Sequence, residues 1–332
     1  AGVSTSLIVL GITMTVQSLL VAGRVPPDRL DELRGRLPGV RVPAVRAGEA
    51  VPPEAADATV LVAAALSSDQ LRTAVDALPQ LRWVHTVSAG ADRYVPVLRG
   101  RGVLLTRTVH ARAAAMSEHV VSMALALLRD LPGVLESQRQ QEWRRREARL
   151  LSGSTVGIVG AGTIGAAAAQ RFAAFGATCL GTKREPTPLP GFDEVLPPTR
   201  VGELVERSDV IVVACPLTEE TRGLLDAGTL SRAKPGAVLV DVSRGGVVVG
   251  SALLAALREG RLAGAALDVF EVEPLPQGHP FWTLPNVIVT PHSSAAAPGV
   301  WNGILDELMA NLGRYQRGEP LAGVVDVEGR GY

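Results

Sequence analysis

Charge imbalance is the first thing this chain lacks. Its 332 residues carry 33 basic and 33 acidic side chains, a formal net charge of zero. A dedicated nucleic-acid binder carries a basic excess, so that class is set aside. Cysteine is nearly absent. The two present, Cys179 and Cys215, sit in apolar, strand-like segments and read as buried free thiols of a reducing cytosol, not as a disulfide framework. No HExxH-type motif and no Cys/His cluster points to a metal. Internal repeats and low-complexity tracts are missing, and at 47% apolar residues the chain is not a disordered one.

A clean membrane-length run is missing too. Residues 1–23 have no charged side chain, but Gly11, Thr13, Thr15, Gln17 and Ser18 interrupt them. No basic stretch precedes the run and no small-residue cleavage site stands out. Leu7–Leu10 is expected to be a first buried strand. The expectation is a cytoplasmic protein with neither nucleic-acid nor membrane partners, long enough for two domains.

What is there is a strand–helix rhythm. VLVAAA (60–65) and WVHTVS (83–88) read as strands with a helix, Asp69–Ala77, between them. Residues 111–146 read as a long helical stretch, with Met116, Val120, Met123, Ala124 and Leu127 at helical spacing and Pro132-Gly133 as its break. The run Arg144-Arg145-Arg146 reads as its solvated end. From Ser154 the alternation becomes regular. TVGIVG, ATCLGT, DVIVVA (209–214), AVLVDV (237–242), GAALDVF (264–270) and NVIVTP (286–291) are strands, with helices over 163–175 and from Ser251 to Glu259, the latter closed by Gly260. That pattern predicts an α/β fold with a doubly wound parallel sheet. Pro298–Gly318 is helical again and is expected to return the chain to the first domain.

Gly160-Ala161-Gly162-Thr163-Ile164-Gly165 follows a strand and opens a helix. This is the context a dinucleotide fingerprint requires: glycines for a tight turn and close backbone approach, and a helix N-terminus for the pyrophosphate. The next strand ends Gly181-Thr182-Lys183-Arg184. An NAD site wants an acid here, and Glu185 comes late. Two cations suit a 2′-phosphate, so NADP(H) is expected, with NAD(H) as the alternative.

Three residues then follow three apolar strands: Arg244 in VLVDVSRGG, Glu273 in LDVFEVEP and His292 in VIVTPHSS. A guanidinium fork suits a planar carboxylate. A neutral imidazole takes a hydroxyl proton and an imidazolium returns it, with a carboxylate to orient the ring and favour its protonated form. Together with the glycine turn, they predict reduction of a 2-keto acid or oxidation of a 2-hydroxy acid. His85, His110, His119 and His279 lack such a setting and read as structural or surface residues.

GIVGAGTIG, PLTEETRGLL, KPGAVLVDVSRGG, GAALDVFEVEPLP and NVIVTPH, in this order, resemble the D-isomer-specific 2-hydroxyacid dehydrogenase family, and the resemblance runs over nearly the whole chain. GTKREP and HPFW resemble its glyoxylate/hydroxypyruvate reductase branch. The resemblance implies two Rossmann-like or flavodoxin-like doubly wound domains with a cleft between them. A discontinuous substrate domain would be 1–108 with 298–332, and 109–297 a dinucleotide domain. It implies Arg244 as carboxylate anchor, His292 as acid/base and Glu273 as its partner. It places Asp268 beside the nicotinamide, and Cys215, Pro216, Thr221, Val242 and Ser243 among the cofactor contacts. Ser88-Ala89-Gly90 would hold the substrate carboxylate. The arm at 111–146 would build a homodimer, with Trp143 reaching the partner.

Two departures stand out. The family's usual acid in the segment after the arginine is Val249 here, and Ser293-Ser294 follow His292 where a more apolar pair is usual. Two other functions are to be weighed: a dinucleotide-sensing binding protein without catalysis, and a phosphite-type dehydrogenase using the same residue types. Glu273, where a formate enzyme is expected to carry Gln, argues against formate.

Overall fold

The computed structural model describes residues 15–329. The expected strand Leu7–Leu10 lies outside them. The chain divides into two compact units: residues up to Ala111 together with those from Pro298 onward, and Arg112–Ala297.

The first unit holds a five-stranded parallel sheet of β1 (Leu19–Gly23), β2 (Ala44–Val45), β3 (Val60–Ala64), β4 (Trp83–Thr86) and β5 (Leu104–Arg107), in the order β2-β1-β3-β4-β5. Its helices are α1 (Pro27–Arg36), α2 (Ser68–Asp76) and the single turn α3 (Val95–Leu98). A capping box starts α2: Gln70 N donates to Ser67 Oγ at 3.2 Å and Ser67 N donates to Gln70 Oε1 at 2.9 Å. β3 and β4 are buried on both faces; β3 accordingly reads as an unbroken apolar run, while β4 also buries the polar His85 and Thr86.

The second unit opens with α4 (Ala113–Leu128) and α5 (Leu131–Arg139). The helical stretch does not break at Pro132-Gly133. It breaks two residues earlier, where Asp130 takes a left-handed conformation (φ 48°) and its carboxylate accepts the Gly133 N–H at 3.3 Å. Pro132 falls in the first turn of α5, where its missing N–H costs nothing. No helix extends over residues 140–149. The arginine run is therefore not a helix end, and Arg146 turns back to Asp130 at 2.6 Å.

Seven parallel strands follow: β6 (Thr155–Val159), β7 (Thr178–Thr182), β8 (Glu194–Leu196), β9 (Val210–Val213), β10 (Ala237–Asp241), β11 (Leu262–Leu267) and β12 (Val287–Val289). Their order is β12-β11-β10-β9-β6-β7-β8. α6 (Thr163–Ala174), α7 (Val201–Arg207), α8 (Ala227–Leu230) and α9 (Gly250–Arg258) connect them. Along β9, Val210 and Val212 enter one core with α4 and α6, while Ile211 and Val213 enter the other with α7 and α9. The strand order reverses between β6 and β9, so the carboxyl ends of these two strands flank the position where doubly wound sheets bind nucleotides.

α10 (Val300–Gln316) belongs to the first unit. Ile304, Leu305, Leu308 and Leu312 join its core, and Tyr315 lies 5.3 Å from Trp83, centroid to centroid. Glu307 accepts the N–H groups of Val109 and His110 at 2.8 and 2.9 Å. No helix among the described residues is long and apolar enough to cross a membrane.

Candidate active site

The glycine turn has three different jobs at three positions. Gly160 lies at φ 104°, and a Cβ there would stand 2.7 Å from the Cys215 backbone nitrogen. A Cβ on Gly165 would meet the Gly160 carbonyl oxygen at 2.2 Å, so only glycine lets α6 start this close to β6. Gly162 has open space around it, where a backbone-hugging ligand could approach. The turn is tied to β7: Gly160 N donates to Thr182 Oγ1 at 3.1 Å and Ala161 N to Thr182 O at 2.7 Å. No side chain caps α6, so Thr163, Ile164 and Gly165 start a helix whose first N–H groups face outward from Gly162. This cradle fits a pyrophosphate.

Lys183 and Arg184 follow β7 directly. Arg184 Nε lies 3.8 Å from Glu220, a loose and exposed pair. Glu185 is exposed, and Thr182, at the strand end, is buried. The loop after β9 folds on itself through Thr221, whose Oγ1 donates to Pro216 O at 2.6 Å and accepts from Thr218 N at 2.8 Å. Cys215 lies just past β9, not within a strand. Burial pushes its thiol up to about 12, and that of Cys179 to about 11, so neither is a thiolate nucleophile.

After β10 the chain makes a compact turn. Asp241 Oδ1 accepts Ser243 N at 2.9 Å and Ser243 Oγ at 2.6 Å. Ser243 O in turn accepts Arg244 Nη1 at 2.7 Å. Val242 is buried on the opposite face, with the α4 and α6 core. Two glycines let the arginine turn back: Gly246 lies at φ 97°, and a Cβ on Gly245 would overlap Phe270 O at 2.0 Å. The neighbouring Arg112 is held below the usual arginine value by burial and by the Arg244 charge.

Glu273 and His292 meet within the second unit. His292 Nδ1 lies 2.8 Å from Glu273 Oε2, and Glu273 Oε1 accepts the Phe270 N–H at 3.0 Å. A carboxylate only accepts, so Nδ1 carries the hydrogen and Nε2 is left for other partners. His292 itself sits at φ 52°, a conformation non-glycine residues rarely adopt.

The group that organises this turn is Asp268, which is almost fully buried. It accepts Thr290 Oγ1 at 2.6 Å, Ser293 N at 2.8 Å and Ser294 N at 3.0 Å. Four bonds thus tie the ends of β10, β11 and β12 together, since Asp268 N also donates to Asp241 O at 3.0 Å. The resemblance singles out position 268, but this role is not visible in the sequence, because its partners are the Thr290 hydroxyl and two backbone N–H groups from a loop more than twenty residues away. Ser293 and Ser294 contribute those N–H groups, which explains why their side chains are free to depart from an apolar pair.

The first unit carries Ser88-Ala89-Gly90 just past β4. Ser88 N donates to Thr86 Oγ1 at 3.2 Å, and Ala89 O accepts Arg107 Nη1 at 2.9 Å. Of the other histidines, His85 is fully buried between Thr106 (2.8 Å) and Thr108 (3.4 Å), and burial pushes it down to about 4. His119, lowered by burial, has its Nε2 3.5 Å from Thr290 Oγ1 and so borders the Asp268 hub. His110 is exposed, and His279 Nδ1 accepts the Phe281 N–H at 3.3 Å. Among the described residues no cluster of three or more His, Cys, Asp or Glu could hold a metal ion.

Residues 121–294 match the family model for the NAD binding domain of D-isomer specific 2-hydroxyacid dehydrogenases. The glyoxylate/hydroxypyruvate reductase A of Serratia proteamaculans is 34% identical over 255 residues, 75% of this chain and 81% of that protein. The chain belongs to the D-isomer specific 2-hydroxyacid dehydrogenase family. Solved structures agree. A D-isomer specific 2-hydroxyacid dehydrogenase from Xanthobacter autotrophicus Py2, in complex with NADPH and MES, has a TM-score of 0.85 to this dehydrogenase at 33% identity, covering 96% of this chain and all (100%) of that one. An NADPH-dependent glyoxylate/hydroxypyruvate reductase from Sinorhizobium meliloti, with NADP and sulfate, reaches 0.83 at 29% identity, covering 95% and 100%.

Proposed function

We propose that this dehydrogenase reduces a small 2-keto acid of the glyoxylate or hydroxypyruvate type to the D-2-hydroxy acid, using NADPH. The observation that carries the reading is the His292–Glu273 contact of 2.8 Å, in which the carboxylate is itself fixed by the Phe270 N–H. When bound, the reduced dinucleotide supplies the hydride to the carbonyl carbon. His292 Nε2 gives the proton to the carbonyl oxygen, while Glu273 holds the ring through Nδ1 and compensates the charge of the imidazolium. Arg244 anchors the substrate carboxylate, with Ser88-Ala89-Gly90 as a second carboxylate-holding segment.

The cradle from Gly160 to Gly165 takes the pyrophosphate. Lys183 and Arg184 take the 2′-phosphate, a reading supported by the absence of an acid at the end of β7 and by NADPH or NADP in the Xanthobacter and Sinorhizobium proteins. Thr182, Cys215, Pro216, Thr221, Val242, Ser243 and Asp268 complete the assignment.

A homodimer through the α4–α5 arm accounts for its apolar surface. Leu131, Val134 and Leu135 are exposed on α5, Leu150 follows, and Trp143 is 98% exposed. A tryptophan in that state fits a contact with a second copy better than it fits water.

The test is oxidation of NADPH and NADH by purified protein with glyoxylate, hydroxypyruvate, pyruvate and phenylpyruvate. Turnover with every acid absent, while a dinucleotide still binds, would overturn the reading in favour of the non-catalytic or phosphite alternative.

A further inference from the structure

A cavity of about 190 Å³ opens at the carboxyl ends of β10 and β11, entirely within the second unit. Its body is apolar, built by Val248, Leu253, Leu267, Phe270, Leu275 and Phe281. Its polar groups are Asp241, Ser251, Glu271 and His279, and no lysine or arginine lines it. His279 Nδ1 and Glu271 Oε1 already accept backbone N–H groups, from Phe281 and Gly250.

Asp241 differs from the rest. It is 4% exposed, and both of its side-chain hydrogen bonds, from Ser243 N and Ser243 Oγ, end on Oδ1. Among the described residues Oδ2 has no donor. Oδ2 is not sealed in the core, and it belongs to a residue lining an apolar cavity. Burial pushes the carboxyl up to about 7, with the nearby Asp268 adding to the rise and Ser243 and Arg244 opposing it.

The geometry points to a second ligand site: this cavity binds a small organic ammonium, its head paired with Asp241 Oδ2 and its aryl or branched alkyl body on the leucine and phenylalanine walls. Charge decides the class. No cation lines the cavity to pair a carboxylate, and Glu271 and the ionised form of Asp241 oppose one, which disfavours 2-keto and 2-hydroxy acids here. Size agrees, because an apolar cavity of about 150 Å³ accommodates benzene. The site is also wired to the chemistry, a link that rests on the proposed function. Asp241 holds Ser243, whose carbonyl holds Arg244, and the wall residue Phe270 donates to Glu273.

The test uses benzylamine, with benzyl alcohol and benzoate as probes of the same shape. Benzylamine is expected to raise Tm in a saturable way, and benzoate is not. Asp241→Asn should abolish the advantage of benzylamine over benzyl alcohol. Ser251→Tyr, at an exposed position on the rim, should block all three and keeps the test decisive if Asp241→Asn fails to fold. Equal shifts from amine and alcohol in the unmodified protein, or a benzylamine shift that survives Ser251→Tyr, would overturn the site. Benzylamine should also change the keto-acid KM severalfold, an effect absent in Ser251→Tyr; an unchanged KM at saturating amine would overturn the link to Arg244. The binding readout needs no turnover, so it stands or falls apart from the keto-acid assay.

Discussion

Asp268 and Ser293 are joined by a 2.8 Å hydrogen bond from the serine backbone to the carboxylate, one residue beyond His292. With the Thr290 and Ser294 bonds it holds the turn on which His292 keeps a left-handed backbone. Orientation of the imidazole thus depends on a carboxylate that does not touch it. Asp268→Asn turns one acceptor oxygen into a donor facing donors. We expect kcat to fall by more than tenfold and stability by about 1–3 kcal/mol, the cost of an unsatisfied buried group. Steady-state kinetics and urea unfolding of the variant check both.

Two variants separate the cofactor contacts. Lys183→Ala with Arg184→Ala should raise the KM for NADPH by about 10–100-fold, the worth of charge-assisted hydrogen bonds, and leave NADH nearly unaffected. Gly162→Ala meets no protein atom within 4 Å, so folding should be unchanged while both dinucleotides bind poorly. Fluorescence titration with each dinucleotide, beside a melting curve, reads these outcomes.

His85 sets an acid limit on stability. It is buried without charge, and its value falls from 6.5 to about 4. Between those values the unfolded chain binds a proton that the folded chain refuses. Its contribution is whole above about pH 6.5 and is lost as pH falls toward 4, on the order of 3 kcal/mol in all. Asp241, raised from 3.8 to about 7, works in the opposite sense and is most favourable at low pH. The comparison of His85→Gln with the unmodified protein isolates the histidine. The difference in unfolding free energy between pH 7 and pH 5 should shrink in the variant.

The second unit was the more legible half. Its strands β6, β9, β10 and β11 are almost wholly buried and read as largely apolar runs. β2 and β8 are two and three residues long, too short for periodicity to register. β1 is longer, yet Leu19–Gly23 is hidden inside a wider apolar stretch with no turn residue to mark where it begins. The helix break was misplaced because proline is conspicuous, whereas the left-handed Asp130 is visible only as a dihedral angle. At the candidate site, Arg244, Glu273 and His292 stand out because each follows an apolar strand. The Asp241–Ser243–Arg244 chain does not, because it depends on the dihedral angles of one tight turn, and the Asp268 hub does not, because its donors come from a loop that only the fold brings to it.

Proton transfer by His292 is tested by NADPH oxidation with the unmodified protein and with His292→Asn, using glyoxylate and hydroxypyruvate as substrates. Turnover is expected for the unmodified protein. In the variant, kcat should fall by about 10²–10⁴-fold while NADPH affinity stays within about twofold, the expected loss of a proton donor that does not bind the cofactor. A variant that retains full turnover would contradict the assignment of proton transfer to His292.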